Sequence, residues 1–413
     1  MPGKLKITHQ VFFVMTAIVV TFPLWPLRFS AGMIVLWFLS AIVHLSLNGR
    51  KQWNRNSGFF VLFISLFALY AISFFMYEMP KGSEHYLERR LSLLVFPLGF
   101  YLVDPGFQKK QRSWILLCFE LSSFVLTAFI AIKTIPLIIT HWDALQTGTG
   151  FNWAFRNHVE KLVNIHPTYL SIFLLFAVFL KVFRMMEKDM NQSWYAVVWN
   201  AFQMGLMLLC CLLLSARGPL IAFGIALTIF FFQVNWKRTI IGIAAILPVV
   251  ALLFLNVPAI GGRFNELIEP RASSEEVQMN STNIRREIYR CSKEILEQNW
   301  LSGIGIGNVQ PALNKCYEAN DQEKLMRMEF NTHNEYAHTW ISNGIIGIFI
   351  FVLMLLLPLI HSFRMRDLPY QAFLILMIVC FFTENVLARQ HGVVFYAFFN
   401  TLFAFHLISP LKD

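Results

Sequence analysis

The amino-acid sequence predicts an all-α polytopic membrane protein of about twelve transmembrane helices with one large helical loop outside the membrane. Three observations carry that prediction. Only 14% of the 413 residues are charged, against 56% hydrophobic and 15% aromatic, whereas a soluble domain carries about 25% charged residues. The apolar residues fall into runs approaching the ~20 that a helix needs to cross a bilayer while satisfying its own backbone. The loops on one side of those runs are all basic.

In chain order the apolar runs lie near 10–27, 30–47, 58–77, 91–103, 114–140, 167–183, 195–215, 218–235, 239–257, 340–361, 370–387 and 393–410. The first lacks a small-residue cleavage site and holds Pro23 and Pro26 near its end, so it reads as a span and not as a signal peptide. The run Leu91 to Val103 is short at ~1.5 Å per residue, and charge decides its status. If it spans, one side of the membrane holds Lys4 and Lys6; Arg50, Lys51 and Arg55; Lys109, Lys110 and Arg112; Lys181, Arg184 and Lys188; Lys237 and Arg238; Arg364 and Arg366; and Lys412. Excess Lys and Arg marks the cytoplasmic side, so both termini are expected there. The net charge of +10 follows from this topology. The cations are dispersed, without the basic patch and interleaved aromatics of a nucleic-acid binder.

The chain therefore divides into helices 1–9 over residues 1–257, an outer loop region over 258–339, and helices 10–12 over 340–413. Acidic residues outnumber basic ones in the outer loop, and its patterning predicts a folded segment. Ile284 to Trp300 reads as an amphipathic helix, with Ile284, Ile288, Cys291 and Ile295 on one stripe and Thr282 or Asn283 as N-cap. Arg286, Arg290 and Lys293 lie on another stripe. The run Gly303-Ile-Gly-Ile-Gly307 lacks the preceding strand and third-glycine spacing of a dinucleotide fingerprint and reads as a connection. Cys118, Cys210, Cys211 and Cys380 fall in spans. Cys291 and Cys316 fall in the loop, where a disulfide and two free thiols are both open readings.

The candidate chemistry sits on the outer side. Arg217 occupies a turn between two apolar runs, where the positive-inside rule disfavours it, so either an anionic partner or snorkelling to headgroups explains it. Arg285, Arg286 and Arg290 are either solvated, ion-paired helix charges or a diphosphate clamp, for which planar guanidinium forks are suited. His333 and His338 are separated by about 140° on a helix, which does not make the co-facial pair of a zinc protease, and no metal site is expected. A histidine beside Asn334 and Glu335 could serve as a general base on a hydroxyl. Its alternative is a hydrogen-bonded structural role. Arg89, Arg90 and Arg389 could join the same site, and snorkelling explains Arg89 and Arg90 equally well. Arg156, His158 and His166 are weaker candidates. Glu120, Lys133 and Glu384 lie toward the ends of spans, so no proton relay is traced.

The order of these features resembles the O-antigen ligase family, which shares its signature region with O-antigen polymerases and protein O-oligosaccharide ligases. The matching stretches are Ser215-Ala-Arg-Gly-Pro-Leu-Ile-Ala-Phe223, Arg285-Arg-Glu-Ile-Tyr289 leading to Gly303-Ile-Gly-Ile-Gly-Asn308, and His333-Asn334 followed by Gly344-Ile-Ile-Gly347. The resemblance is clearest over residues 200–350. It implies a GT-C-like, metal-independent, inverting glycosyltransferase of the bacterial inner membrane, with a periplasmic active site and no cofactor. Its donor would be an undecaprenyl diphosphate-linked glycan and its acceptor a hydroxyl of lipid A-core or another glycan. Residue by residue, Arg217 matches the turn arginine, Arg285 the loop arginine and His333 the catalytic histidine, while Arg286 or Arg290 could share the diphosphate role. The alternatives are an O-antigen polymerase extending lipid-linked repeats and, outside enzymes, a lipid-linked glycan transporter. The sequence shows none of the paired inverted halves, broken helices or mid-span ionisable groups of a transporter clearly.

Overall fold

The computed structural model describes residues 2–49, 57–143, 150–187, 193–234 and 281–408. The ninth predicted span, 239–257, and residues 258–280 of the predicted loop lie outside the described residues. So do the basic loop residues Arg50, Lys51, Arg55, Lys188, Lys237, Arg238 and Lys412. Among the described residues every regular element is a helix: α1 (Pro2–Val19), α2 (Leu27–Asn48), α3 (Ser57–Met76), α4 (Glu84–Arg90), α5 (Ser92–Val103), α6 (Lys109–Thr140), α7 (Phe151–Val163), α8 (Pro167–Glu187), α9 (Trp194–Leu214) and α10 (Arg217–Val234). After the undescribed stretch come α11 (Ser281–Asn299), α12 (Val309–Ala319), α13 (Glu323–Arg327), α14 (Glu335–Met365), α15 (Leu368–Thr383) and α16 (Gln390–Ile408).

Seven of these, α2, α3, α6, α8, α9, α10 and α14, are long and apolar enough to cross a membrane. The prediction of twelve is not reached on that criterion. α5 has 12 residues and α15 has 16, both below the ~20 needed. α8, α15 and α16 form a central layer. α8 and α15 are buried along almost their whole length, and α16 from His391 to Phe405 is buried as well. Phe373, Phe395, Phe399 and Phe403 pack against one another there. The outer helices turn apolar residues such as Phe29, Ile132, Val198 and Phe349 outward, as a lipid-solvated bundle does.

The end of the bundle predicted to be cytoplasmic is fastened by charge. Arg112 reaches both carboxylate oxygens of Asp367 at 2.7 Å and lies over the Phe403 ring. Glu120, buried on α6, is paired with Arg184 and lies 3.8 Å from Lys181. These cations hold helices together as well as marking a side.

At the opposite end, α11 to α13 build a second, smaller core from Ile288, Cys291, Ile295, Val309, Leu313, Tyr317 and Leu325, closed by Ile341 of α14. The amphipathic stripe predicted for Ile284 to Trp300 is the face that enters this core. The described part of this helix begins at Ser281, and residues before it lie outside the described residues. Cys291 and Cys316 are joined in a disulfide with Cα atoms 5.8 Å apart, tying α11 to α12 across 25 residues of chain. That closes the choice between a bridge and free thiols. A loop of this length implies about 3 kcal/mol from chain entropy. Cys291→Ser and Cys316→Ser are each expected to lower the thermal unfolding midpoint of the purified protein, and reductant to do the same to the wild type but to neither variant.

The Gly303–Gly307 run is more than a connection. Helix α14 is broken at Gly344, whose φ of 64° and ψ of −159° no L side chain adopts readily. The break frees backbone groups that the run then satisfies. Ile304 N donates to Ile341 O at 2.9 Å, Gly305 N to Ser342 O at 3.0 Å, and Ile345 N to Leu301 O at 3.2 Å. A Cβ on Gly303 or Gly344 would collide with the opposing backbone. The sequence shows no clear broken helix; the structure has one, filled by protein backbone. Gly344→Ala is expected to destabilise the fold by about 1–3 kcal/mol from backbone strain alone, read as a lower unfolding midpoint in detergent.

Candidate functional site

The first turns of α10, α11, α14 and α16 and the end of α15 meet around the short segment Thr383 to Leu387. Helix α15 stops at Thr383, so Glu384 lies in the turn after it, where the sequence places it inside a span running to 387. The next residues form a 3-10 turn over Val386–Ala388 before α16 begins.

His333 stands opposite Glu384, with Nδ1 3.3 Å from Oε1. Its backbone is left-handed at φ 43°, a region in which histidine is tolerated better than most side chains. Asn331 supports that turn by accepting from His333 N at 3.0 Å. Asn334 is the N-cap of α14, accepting from Ala337 N at 3.0 Å, which is the ordinary use of an asparagine at that position. Asn385 then locks the histidine turn to the α15–α16 turn. Its Oδ1 accepts from Asn334 N at 2.6 Å, its Nδ2 donates to Thr332 Oγ1 at 2.8 Å, and its carbonyl accepts from Tyr169 OH at 2.7 Å.

Burial works to raise the Glu384 pKa, but the hydrogen bond and charge of His333, then the charges of His166 and Arg285, outweigh it and hold the carboxyl at about 2. Glu384 is therefore an anion at any physiological pH. His166, just before α8, is pushed down to about 4 by burial, which the neighbouring Glu384 charge only partly offsets.

Arg285 reaches this turn from the outer domain. Its Nη2 donates to Thr383 O at 3.3 Å, and Tyr289, one helical turn on, donates to Phe382 O at 3.3 Å. Arg217 arrives from the other side as the first residue of α10. Its neighbour Gly218 packs so closely on the Thr383 side chain that a Cβ would overlap the hydroxyl. Arg217, Arg285 and His333, distant in sequence, thus converge on Thr383–Glu384. The start of α10 also presents the positive end of a helix dipole there.

The other candidates divide. Arg286 is exposed on α11. Arg290 is committed to Glu287 at 2.8 Å, Glu294 at 3.2 Å and Asn320 at 2.6 Å, which turns it away from a clamp and into a brace between α11 and the end of α12. Arg389 pairs with Glu160 of α7 at 3.4 Å, and Arg156 caps α9 through Leu214 O at 2.6 Å. Arg89 is exposed. Arg90, for which snorkelling was an equal reading, has no exposed surface and does not snorkel. Glu335 is also fully buried, accepting from Leu387 N at 2.8 Å. Glu384, Asn385 and Thr332 are the site residues that sequence reasoning missed. Their signal was a polar Thr-Glu-Asn interruption in the apolar run 370–387.

No curated protein matches the chain. A family model described as O-antigen ligase matches residues 202–352, a stretch that includes Arg217, Arg285, His333 and the Gly344 break. The match supports an O-antigen ligase or polymerase type of membrane glycosyltransferase domain over that stretch.

Proposed function

We propose that this protein is an O-antigen ligase of the bacterial inner membrane. In this reading it transfers a glycan from undecaprenyl diphosphate to a hydroxyl of lipid A-core on the periplasmic face, with both termini cytoplasmic. The observation that carries the reading is the meeting of Arg217, Arg285 and the His333–Glu384 pair at one turn on the outer end of the bundle. The Cys291–Cys316 bridge on the same side suits an oxidising compartment.

The chemistry follows from the groups present. Glu384, a permanent anion, faces His333 Nδ1 and orients the ring, leaving the far nitrogen to receive a proton. The acceptor oxygen attacks the anomeric carbon as His333 takes its proton. The bond from that carbon to the diphosphate oxygen breaks, and its electron pair leaves with the lipid diphosphate. One in-line displacement inverts the anomeric centre. Arg217 and Arg285 stabilise the charge that grows on the leaving diphosphate, the work of preorganised cationic donors, so the reaction needs no metal.

The test is the lipopolysaccharide of a deletion strain. Loss of all capped core with accumulation of lipid-linked polymer is the expected result. Core bearing a single repeat would make the protein a polymerase. In liposomes, movement of lipid-linked glycan without a new glycosidic bond would make it a transporter. Wild-type transfer by Arg217→Ala or Arg285→Ala in inner membranes would remove the arginines from the mechanism.

A further inference from the structure

The segment that delivers His333 is anchored from α12 as well as from the α15–α16 turn. Helix α13 ends in a Schellman-type turn. Glu329 is left-handed at φ 48°, Glu329 N donates to Met326 O at 3.1 Å, and Phe330 N donates to Leu325 O at 3.2 Å. Phe330 packs on the small core that contains Leu325, the apolar contact that accompanies such an ending. Glycine usually fills the left-handed position. A glutamate there, followed by the left-handed His333, is a conformation that persists only where neighbours over-determine it. Helix α12 supplies those neighbours. Tyr317 OH donates to Phe330 O at 3.0 Å. Gln310 Nε2 donates to the same carbonyl at 3.2 Å and to Asn314 Oδ1 at 2.9 Å. Two donors use both lone pairs of that oxygen. Tyr317 is fully buried, and burial pushes its phenol up, so it stays a donor. Its neighbour Cys316 carries the disulfide to α11. The Phe330 ring lies 5.8 Å from the His333 ring, tilted by 46°.

We infer that Tyr317 is a positioning residue: by holding the Phe330 carbonyl it keeps the Phe330 ring against the His333 imidazole, and so keeps that imidazole facing Glu384. The links are direct contacts. Tyr317 and Gln310 fix the peptide that follows Phe330. A ring at this separation is in packing contact with its neighbour and limits rotation of the imidazole about its side-chain bonds. The imidazole so held has Nδ1 3.3 Å from Glu384 Oε1. Asn385 secures Thr332 and Asn334 from the α15–α16 turn, and α12 secures Phe330 from the opposite direction along the chain. The effect of this hold on transfer rests on the proposed function; the hold itself does not.

Hydrogen exchange and glycan transfer, both measured on protein in lipid nanodiscs, test the inference. Y317F keeps the buried ring and removes one donor; Q310M removes the other. Exchange of the amides of residues 330–333 is expected to be about fivefold faster in each variant and about 20-fold or more faster in Y317F/Q310M, the loss of one and then two ordinary hydrogen bonds, with α8 unchanged. Unchanged exchange in the double variant overturns the hold, whether or not the protein transfers glycan. In the transfer assay Y317F/Q310M is expected to lose about tenfold or more in kcat, within the scale of a slight misplacement, with the donor KM nearly constant. A wild-type kcat alongside faster exchange overturns the positioning role. F330L leaves the carbonyl bonds and removes the aromatic ring, so it is expected to lose kcat without faster exchange, while F330Y retains it. A wild-type kcat in F330L overturns the path through the ring. In an H333A background Y317F/Q310M is expected to cost nothing further, because both act through one imidazole; losses that multiply overturn the inference. Should the double variant fail to accumulate, Y317F alone carries the same expectations at about fivefold. A wild-type protein without transfer activity defeats the proposed function and leaves the exchange result standing.

Discussion

His333→Ala is expected to reduce the turnover of glycan transfer by about 10²- to 10⁴-fold, the range that a positioned general base supplies, with lipid-linked donor still bound. The expectation follows from where the side chain stands. Its left-handed backbone and the Asn331 turn set the imidazole against Glu384, and the two arginines proposed to bind the donor diphosphate approach the same turn from α11 and, beside Gly218, from α10. Removing the ring leaves that cationic pair intact. Binding of a fluorescent polyprenyl diphosphate to the variant should therefore match wild type while single-turnover transfer collapses. Transfer within a few-fold of wild type would remove His333 from proton transfer.

Glu384→Gln is expected to be nearly as damaging, about 10²- to 10⁴-fold in kcat, by analogy with the carboxylate that orients a catalytic histidine in other enzymes. Glutamine keeps the shape and loses the charge. Its amide can also present a donor to His333 and favour the wrong tautomer. Glu384→Asp should retain more activity, because the charge survives. The wild-type carboxyl is held at about 2, below an ordinary glutamate. Its ionised form therefore stabilises the fold fully above the ordinary carboxylate range, and that contribution fades as pH falls from there toward 2. Any loss of wild-type activity between pH 5 and 7 must then come from another group. A wild-type acid limb in that window that persists in Glu384→Asp would agree. Disappearance of the limb in Glu384→Gln alone would assign it to Glu384 and contradict its depressed pKa.

The parts of the fold legible in the sequence are those set by hydrophobic periodicity. The stripe Ile288, Cys291 and Ile295 marks the buried face of α11, and the apolar runs fall on helices throughout the described residues. Span number was less legible, because length and composition alone leave α5 and α15, at 12 and 16 residues, short of a crossing helix. Arg217, Arg285 and His333 stand out in the sequence because polar and charged groups at the edges of apolar runs are conspicuous. Glu384 was not, since a carboxylate near the end of an apolar run reads as an edge residue until the helix is seen to stop at Thr383. Arg290 is a residue whose two open readings are separated by packing. Its spacing on α11 resembles a clamp, but Glu287, Glu294 and Asn320 take up its donors, and only the docking of α12 reveals the last of these.

The interruption of α14 at Gly344 also dictates an order of assembly. The backbone carbonyls of Ile341 and Ser342, which receive the Gly303–Gly305 strap, come into place only once α14 has entered the membrane. The partner of His333 waits still longer, because Glu384 follows α15 and emerges after the complete α14–α15 hairpin has been threaded. Arg285, translated earlier than either, stays without its anchor on Thr383 until then. A growing chain thus cannot hold a finished centre before Glu384 has been added to it. The His333–Glu384 pair is therefore among the last contacts of the chain to form.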